Sequence, residues 1–237
     1  MLQHKSHNRV LASLAPDDAA FLLSHLQAID LPQKRVLYEA GGEIDRVYFP
    51  HAGVVSLVVE LTTGEMIEAA MIGREGVVGG LSALDSRISI TRAIVQVAGA
   101  GSVVKVEHIR QLARQSAGFL STLIKHEQVL LAQSQQSAAC NSTHMIEARL
   151  SRWLLRCRDL VGGDDLQLTQ EFLAQMLGVR RTSVSGVANA LQQAGLIKYK
   201  RGYIRVMNLE GLRESACECY DTVKSISDRL IGVVSDP

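Results

Sequence analysis

Aromatic side chains are scarce in this chain, at 4% of 237 residues, and only one of them is a tryptophan. Ring-rich packing is therefore excluded, and aliphatic residues must fill whatever cores the chain builds. No apolar run reaches the ~18 residues of a membrane-spanning helix, so no transmembrane segment and no membrane partner is expected. The stretch Met1 to Val10 lacks the apolar centre of a secretory signal. Cysteine is sparse too: Cys140, Cys157, Cys217 and Cys219 have no framework spacing, which fits a reducing, cytoplasmic setting. Also missing are a nucleophile elbow, a His-Glu-x-x-His pair and a lysine-bearing phosphate loop, so the chain does not read as an enzyme. Cys217-Glu-Cys219 has no second pair at useful spacing, and from it alone neither a metal site nor a resident cofactor is expected.

What is present is concentrated between Leu166 and Val206. Thr169 is a suitable N-cap, Glu171 sits in the first turn, and Phe172, Leu173, Met176 and Leu177 form an apolar stripe at helical spacing. Gly178-Val179 interrupts that pattern. A second helix then runs from Arg180 through Val184, Val187 and Leu191 to Gly195, which is free to adopt the left-handed conformation beyond it. Two short amphipathic helices joined by a tight turn make a helix-turn-helix. Two β-prone runs around Lys200-Arg201-Gly202 follow and predict a hairpin, the wing of a winged helix. This stretch holds six basic residues (Arg180, Arg181, Lys198, Lys200, Arg201, Arg205) against Glu171, in a chain whose net charge is only +1. A local excess on an otherwise slightly acidic chain is an electrostatic footprint for a polyanion, and on a winged helix-turn-helix the partner expected is double-stranded DNA. The competing reading is a small helical subdomain with a solvated basic face.

The same stretch resembles the C-terminal domain of the Crp/Fnr family of bacterial transcription regulators. Ala174, Gly178, Val184 and Val187 look like the small residue, turn glycine and two buried aliphatic positions of its helix-turn-helix. Arg181 occupies the place of a base-reading arginine, while Thr182 and Gly186 depart from the residues of the best-known members, so the resemblance implies a different operator. Read with the residues, it puts DNA contacts on Arg180, Arg181, Thr182, Ser183, Ser185, Lys198, Tyr199, Lys200 and Arg201. It also implies a homodimer, an inverted-repeat operator and RNA polymerase as a partner.

Upstream, Val10 to Leu31 reads as one or two short helices, with Pro16-Asp-Asp a capped start. From Leu31 the period changes to short β-branched runs, and ten of the nineteen glycines lie between Gly41 and Gly101. Many short strands with glycine turns and no crossover helices predict a small sandwich or barrel. In the family this is the cyclic-nucleotide-binding-like β-roll. A short helix over Val106 to Ala113 and a longer one from about Ala117 to Asn141 follow. Family members use the longer helix as a dimer axis, although its heptad reads as irregular here. Cys140 to Thr143 is read as a hinge, with Asn141 to His144 capping a helix from Met145 to Leu160. The fold class is thus α+β: a β-roll sensor domain with flanking helices over 1–116, a dimerisation helix over 117–141, a winged helix-turn-helix over 142–212 and a helical extension over 213–237.

An effector site is less legible. Gly73-Arg-Glu-Gly-Val-Val-Gly-Gly80 occupies the place where cyclic-nucleotide-binding relatives cradle a phosphate, and Glu75 and Arg92 are the nearest matches to their binding residues. The extra arginine and the long segment before Arg92 argue against a cyclic nucleotide, leaving a turn cluster with Arg92 in a surface ion pair as the plainer account. The iron–sulfur cluster of the oxygen-sensing branch needs N-terminal cysteines, and none precedes Cys140. A nucleotide-responsive regulator and, remotely, an enzyme with an accessory DNA-binding domain are the alternatives.

Overall fold

The protein is described here by a computed structural model covering residues 7–232. Residues 1–6 and 233–237, which hold most of the stretch read for a signal and the outer ends of the first and last divisions, lie outside the described residues.

The N-terminal part opens with α1 (Arg9–Ala12) and α2 (Pro16–Leu23). Asn8 caps α1 by accepting the Leu11 N–H (3.2 Å), and its own amide donates to the carbonyls of Pro50 and Gly76, both at 2.8 Å. Pro16 stands at the start of α2, but Ala15 provides no side-chain cap there. The expected helix to Leu31 ends early. Gln27–Leu31 is instead strand β1, because its backbone groups pair along β7 (Gly99–Lys105), a partner some seventy residues away that local spacing does not reveal. Strands β2 (Val36–Tyr38), β3 (Arg46–Pro50), β4 (Val54–Glu60), β5 (Met66–Ile72) and β6 (Arg92–Val97) complete the region before β7. They form two antiparallel sheets, β1-β7-β3 and β2-β6-β4-β5, in the place where the family resemblance implies a β-roll.

After α3 (Val106–Gln115), Ser116 caps α4 (Ala117–Thr143) by accepting from the Phe119 N–H. At 27 residues α4 is about 40 Å long. Cys140 to Thr143 belong to this helix, so the expected hinge there is displaced: the extended residues are His144 and Met145. Met145 caps α5 (Ile146–Val161) without a side-chain bond, and Asn141 to His144 do not form the expected cap. Then come β8 (Asp165–Gln167), α6 (Gln170–Leu177), α7 (Arg181–Gln193), β9 (Ile197–Lys200), β10 (Tyr203–Val206), α8 (Leu209–Glu214) and α9 (Cys219–Ile231).

Two apolar cores share one sheet. Phe49, Val55, Ile72, Val95, Ile109, Phe119 and Leu123 fill the roll, with α4 closing it. Val54, Val58, Met71 and Ile94 face the other way, onto Leu150, Trp153, Leu154 and Leu173 of α5 and α6. Burial on both faces explains why β4 reads as a nearly continuous apolar run rather than an alternating one. Trp153 is the wedge of this junction. Its indole N–H donates to Glu68 Oε1 at 2.8 Å, while the Ser56 hydroxyl donates to Oε2 at 2.5 Å.

The glycine-rich segment after β5 is built around a second buried polar contact. The Val77 N–H donates to His126 Nε2 of α4 at 3.2 Å, and burial pushes that imidazole down to about 4, so it is neutral and able to accept. A side chain at Gly76 would collide with His126 Nε2 and with Ile72. Gly76→Ala is therefore expected to destabilise folding by about 2–3 kcal/mol, from overpacking plus a lost buried hydrogen bond. Denaturant unfolding measures this, and a change within about 0.5 kcal/mol would mean that α4 is not seated on this turn.

Candidate nucleic-acid interface

Local chemistry determines the shape of the reading unit. Thr169 Oγ1 accepts the Phe172 N–H at the start of α6, and Gly178 ends that helix at φ 62°. The turn then runs Val179-Arg180 into α7, whose Val184, Ala188 and Leu191 are buried against the second core. Gly195 lies beyond α7 at φ 73°, the left-handed conformation read from the sequence. Arg201 and Gly202 both have positive φ, 48° and 83°, which is the geometry of a two-residue hairpin turn matched to strand twist. β9 and β10 pair with Tyr203 opposite Lys200 and Arg205 opposite Lys198, and β8 adds a third strand on the far side of β10. On this wing Ile197, Ile204 and Val206 are buried while Lys198, Lys200, Tyr203 and Arg205 are exposed.

The candidate contact residues divide by their surroundings. Arg180, Arg181 and Thr182 are exposed at the first turn of α7, Ser183 is half-buried there, and Lys198, Lys200 and Arg201 are exposed on the wing. Among the described residues, none of these five cations makes an ion pair with a carboxylate. Arg205 differs: it grips Asp165 with two bonds, of 2.7 and 2.6 Å, which couples β10 to β8. The Ser185 hydroxyl donates to Gln170 Oε1 at 2.6 Å and to the Arg181 carbonyl, so it ties α7 to α6. Tyr199 is half-buried, and its backbone N–H donates to Gln192 Oε1 (2.8 Å), holding the wing to the end of α7.

The sequence model of the Crp-like helix-turn-helix domain matches residues 148–215, from α5 to the end of α8. Residues 148–215 are thus a Crp-like helix-turn-helix domain. The whole architecture agrees. FixK2 from Bradyrhizobium japonicum superposes with a TM-score of 0.69 at 17% identity, over 81% of this chain and 98% of that one. TTHA1359, a CRP/FNR-family transcriptional regulator from Thermus thermophilus, gives 0.65 at 23% identity, over 80% and 98%. The c-di-GMP responsive global regulator CLP of Xanthomonas campestris gives 0.66 at 16%, over 81% and 99%. At these identities the superpositions establish the fold: an N-terminal β-sheet region, long helices and a C-terminal helix-turn-helix. No protein in the curated set matches the sequence. Among the described residues no helix is long and apolar enough to cross a membrane.

The two candidate effector residues stand in separate ion pairs. Glu75 is buried and accepts from Arg156 of α5 at 2.9 Å. Arg92 lies at the start of β6 between Glu39 (3.1 Å) and Glu60 (3.2 Å). A cavity of about 660 Å³ is lined by Glu75 together with Arg9, Arg74, Lys125, Arg156 and Lys224, but not by Arg92.

The expectation of no metal site and no cofactor is overturned. Cys140 and His144 at the end of α4 meet Cys217 and Cys219 at the start of α9, with one ligand atom from each residue all within 4.8 Å of one another. Sequence spacing missed this because Cys217-x-Cys219 finds its second pair 77 residues upstream, delivered by the packing of α9 along α4. The legible signal was Cys140-x-x-x-His144, one helical turn apart. A set of three sulfurs and one imidazole nitrogen is able to hold a metal ion.

Proposed function

We propose that the chain acts in the cytoplasm as a homodimer that reads an inverted-repeat operator, with RNA polymerase as its partner in regulation. Four divisions share the work: a sensor over 1–116, a dimerisation helix over 117–141, a winged helix-turn-helix over 142–212 and an extension over 213–237. The observation that carries the reading is the exposed first turn of α7, where Arg180, Arg181 and Thr182 stand clear of any carboxylate partner beside a wing that presents Lys198, Lys200 and Arg201. Such a helix start suits the major groove. Arg181 has the planar fork that pairs with guanine O6 and N7, while the wing cations suit phosphates. Ser183 is available to bases or phosphates. Ser185 and Tyr199 would reach DNA only after giving up, or alongside, the contacts that orient the unit.

Support for the dimer comes from α4. Its buried side is irregular, but Ala117, Ser121, Ile124, Gln128, Leu131, Gln135, Ala138 and Ser142 are all exposed and recur at alternating steps of four and three. That is the spacing of a coiled-coil seam. Ile124 and Leu131, 42% and 57% exposed, are its large apolar members. Glu75 and Arg92 remain the candidate effector contacts, and an anionic ligand would have to displace Glu39 and Glu60 from Arg92.

The test is a division of labour. Arg181→Ala is expected to relax discrimination at one base pair of each half-site, by roughly 1–3 kcal/mol per site. Lys200→Ala and Arg201→Ala should weaken cognate and random DNA nearly equally and flatten the salt dependence by about one unit of slope each. Binding isotherms over a salt series, on operator and scrambled duplexes, separate the two classes. Equal loss on both duplexes for Arg181→Ala would make that residue a phosphate contact.

A further inference from the structure

We infer that Cys140, His144, Cys217 and Cys219 bind one Zn(II) ion as a closed Cys3His tetrahedron that staples the C-terminal extension to the end of the long helix. A zinc tetrahedron with Zn–S of about 2.3 Å and Zn–N of about 2.0–2.1 Å has edges of roughly 3.4–3.8 Å. Two edges of that length are already present: Cys140 Sγ to Cys217 Sγ and Cys219 Sγ to His144 Nδ1, each 3.5 Å. The three cysteines are buried, and none is in a disulfide.

The surroundings are those of a metal site rather than of a chance thiol cluster. His144 turns Nδ1 to the sulfurs and Nε2 to Glu218 Oε1 at 3.2 Å, so the carboxylate between the two ligand cysteines orients the imidazole. The Gln136 amide donates to Cys219 Sγ at 3.0 Å, a contact that favours a thiolate. Arg149 of α5 is buried and bonds the Leu177 carbonyl, yet its Nε, like that of Arg152, has no hydrogen-bond partner. Binding Zn(II) releases three S–H protons to solvent and leaves three thiolates, one imidazole and a doubly charged ion, a net −1. A Cys140–Cys217 disulfide would account for two of the four residues and leave the His144–Glu218 pair without a role.

The site lies where α4 ends and the chain turns into α5, whose Arg149 bonds the last carbonyl of α6. The metal would therefore fix the helical extension and the α4–α5 junction behind the reading unit. This inference does not depend on where DNA binds.

Zinc content and cobalt substitution of the full chain, purified and kept reduced, test it. One equivalent of tightly bound zinc per chain is expected, and Co(II) should give thiolate charge-transfer absorption with the strong visible bands of a tetrahedral site. Cys157→Ser, whose thiol lies in the other core, should keep both signals. Cys217→Ala and Cys219→Ala should lose them. Should those two variants fail to fold, Glu218→Gln leaves every ligand in place and should weaken metal affinity about 10–100-fold. Reduced wild-type chain that takes up neither Zn(II) nor Co(II) would overturn the inference, as would unchanged affinity in Glu218→Gln or a metal-free Cys140–Cys217 disulfide in the native protein.

Discussion

A chain carrying Ile124→Asp and Leu131→Asp is expected to be monomeric at micromolar concentration and to bind its operator at least about 100-fold more weakly. The two residues are seven apart on the exposed stripe of α4, so they recur at the same position of the seam and would meet their counterparts across a two-fold axis. Four carboxylates would then crowd a surface otherwise lined by small, amide and aliphatic side chains. A monomer reads one half-site and forfeits the other half's base contacts, each worth about 1–3 kcal/mol, along with its phosphate contacts. The fold itself should be spared, because this stripe faces away from the roll that Phe119, Leu123, His126 and Leu130 close from the opposite side. Light scattering and operator titration are the measurements. A double variant that remains dimeric would move the two-fold contact off α4.

The second large effect concerns Glu68. Burial raises its carboxyl to about 7, although the Ser56 hydroxyl, the Trp153 indole and the nearby Arg152 and Arg156 all pull the other way. In the unfolded chain the same group titrates near 4.5. The folded state therefore holds the proton more tightly than the unfolded one. The resulting stability is complete below about 4.5 and is lost as pH rises through about 7, where a buried anion forms. Glu68→Gln keeps both partners, since an amide accepts from Trp153 Nε1 and donates to Ser56 Oγ. Relative to this variant, the wild type should lose on the order of 2–3 kcal/mol between pH 5 and pH 8. The variant should be the more stable protein at pH 8. Because Glu68 of β5 and Trp153 of α5 join the roll to the DNA-reading part, unfolding followed at the single tryptophan reports on this junction. Parallel pH profiles for the two proteins would show that the carboxyl is not buried as described.

What was legible in the sequence is what short-range chemistry specifies. Thr169, Gly178 and Gly195 marked the reading helices because caps and left-handed turns act over a few residues. Arg201-Gly202 marked the wing for the same reason. The strands were visible as β-branched runs between glycine turns. Illegible were features made by distant partners. β1 is a strand because β7 lies beside it, and the α4 seam appears only when the buried side is known. Nothing near Glu68 in the sequence marks it as buried, because Trp153 covers it from a distant part of the chain. The sequence spacing of the cysteines at 140, 217 and 219 does not predict a metal site, and it is the docking of α9 on α4 that brings them together.

The central claim, a two-fold regulator with one reading head per chain, is tested most directly by selecting bound duplexes from a random DNA pool with the full-length protein and sequencing them. The account predicts an inverted repeat whose half-site centres lie about one helical turn apart, roughly 10–10.5 base pairs, with Arg181→Ala blurring one position in each half. Enrichment of a single unrepeated half-site, or no enrichment over the starting pool, would contradict it.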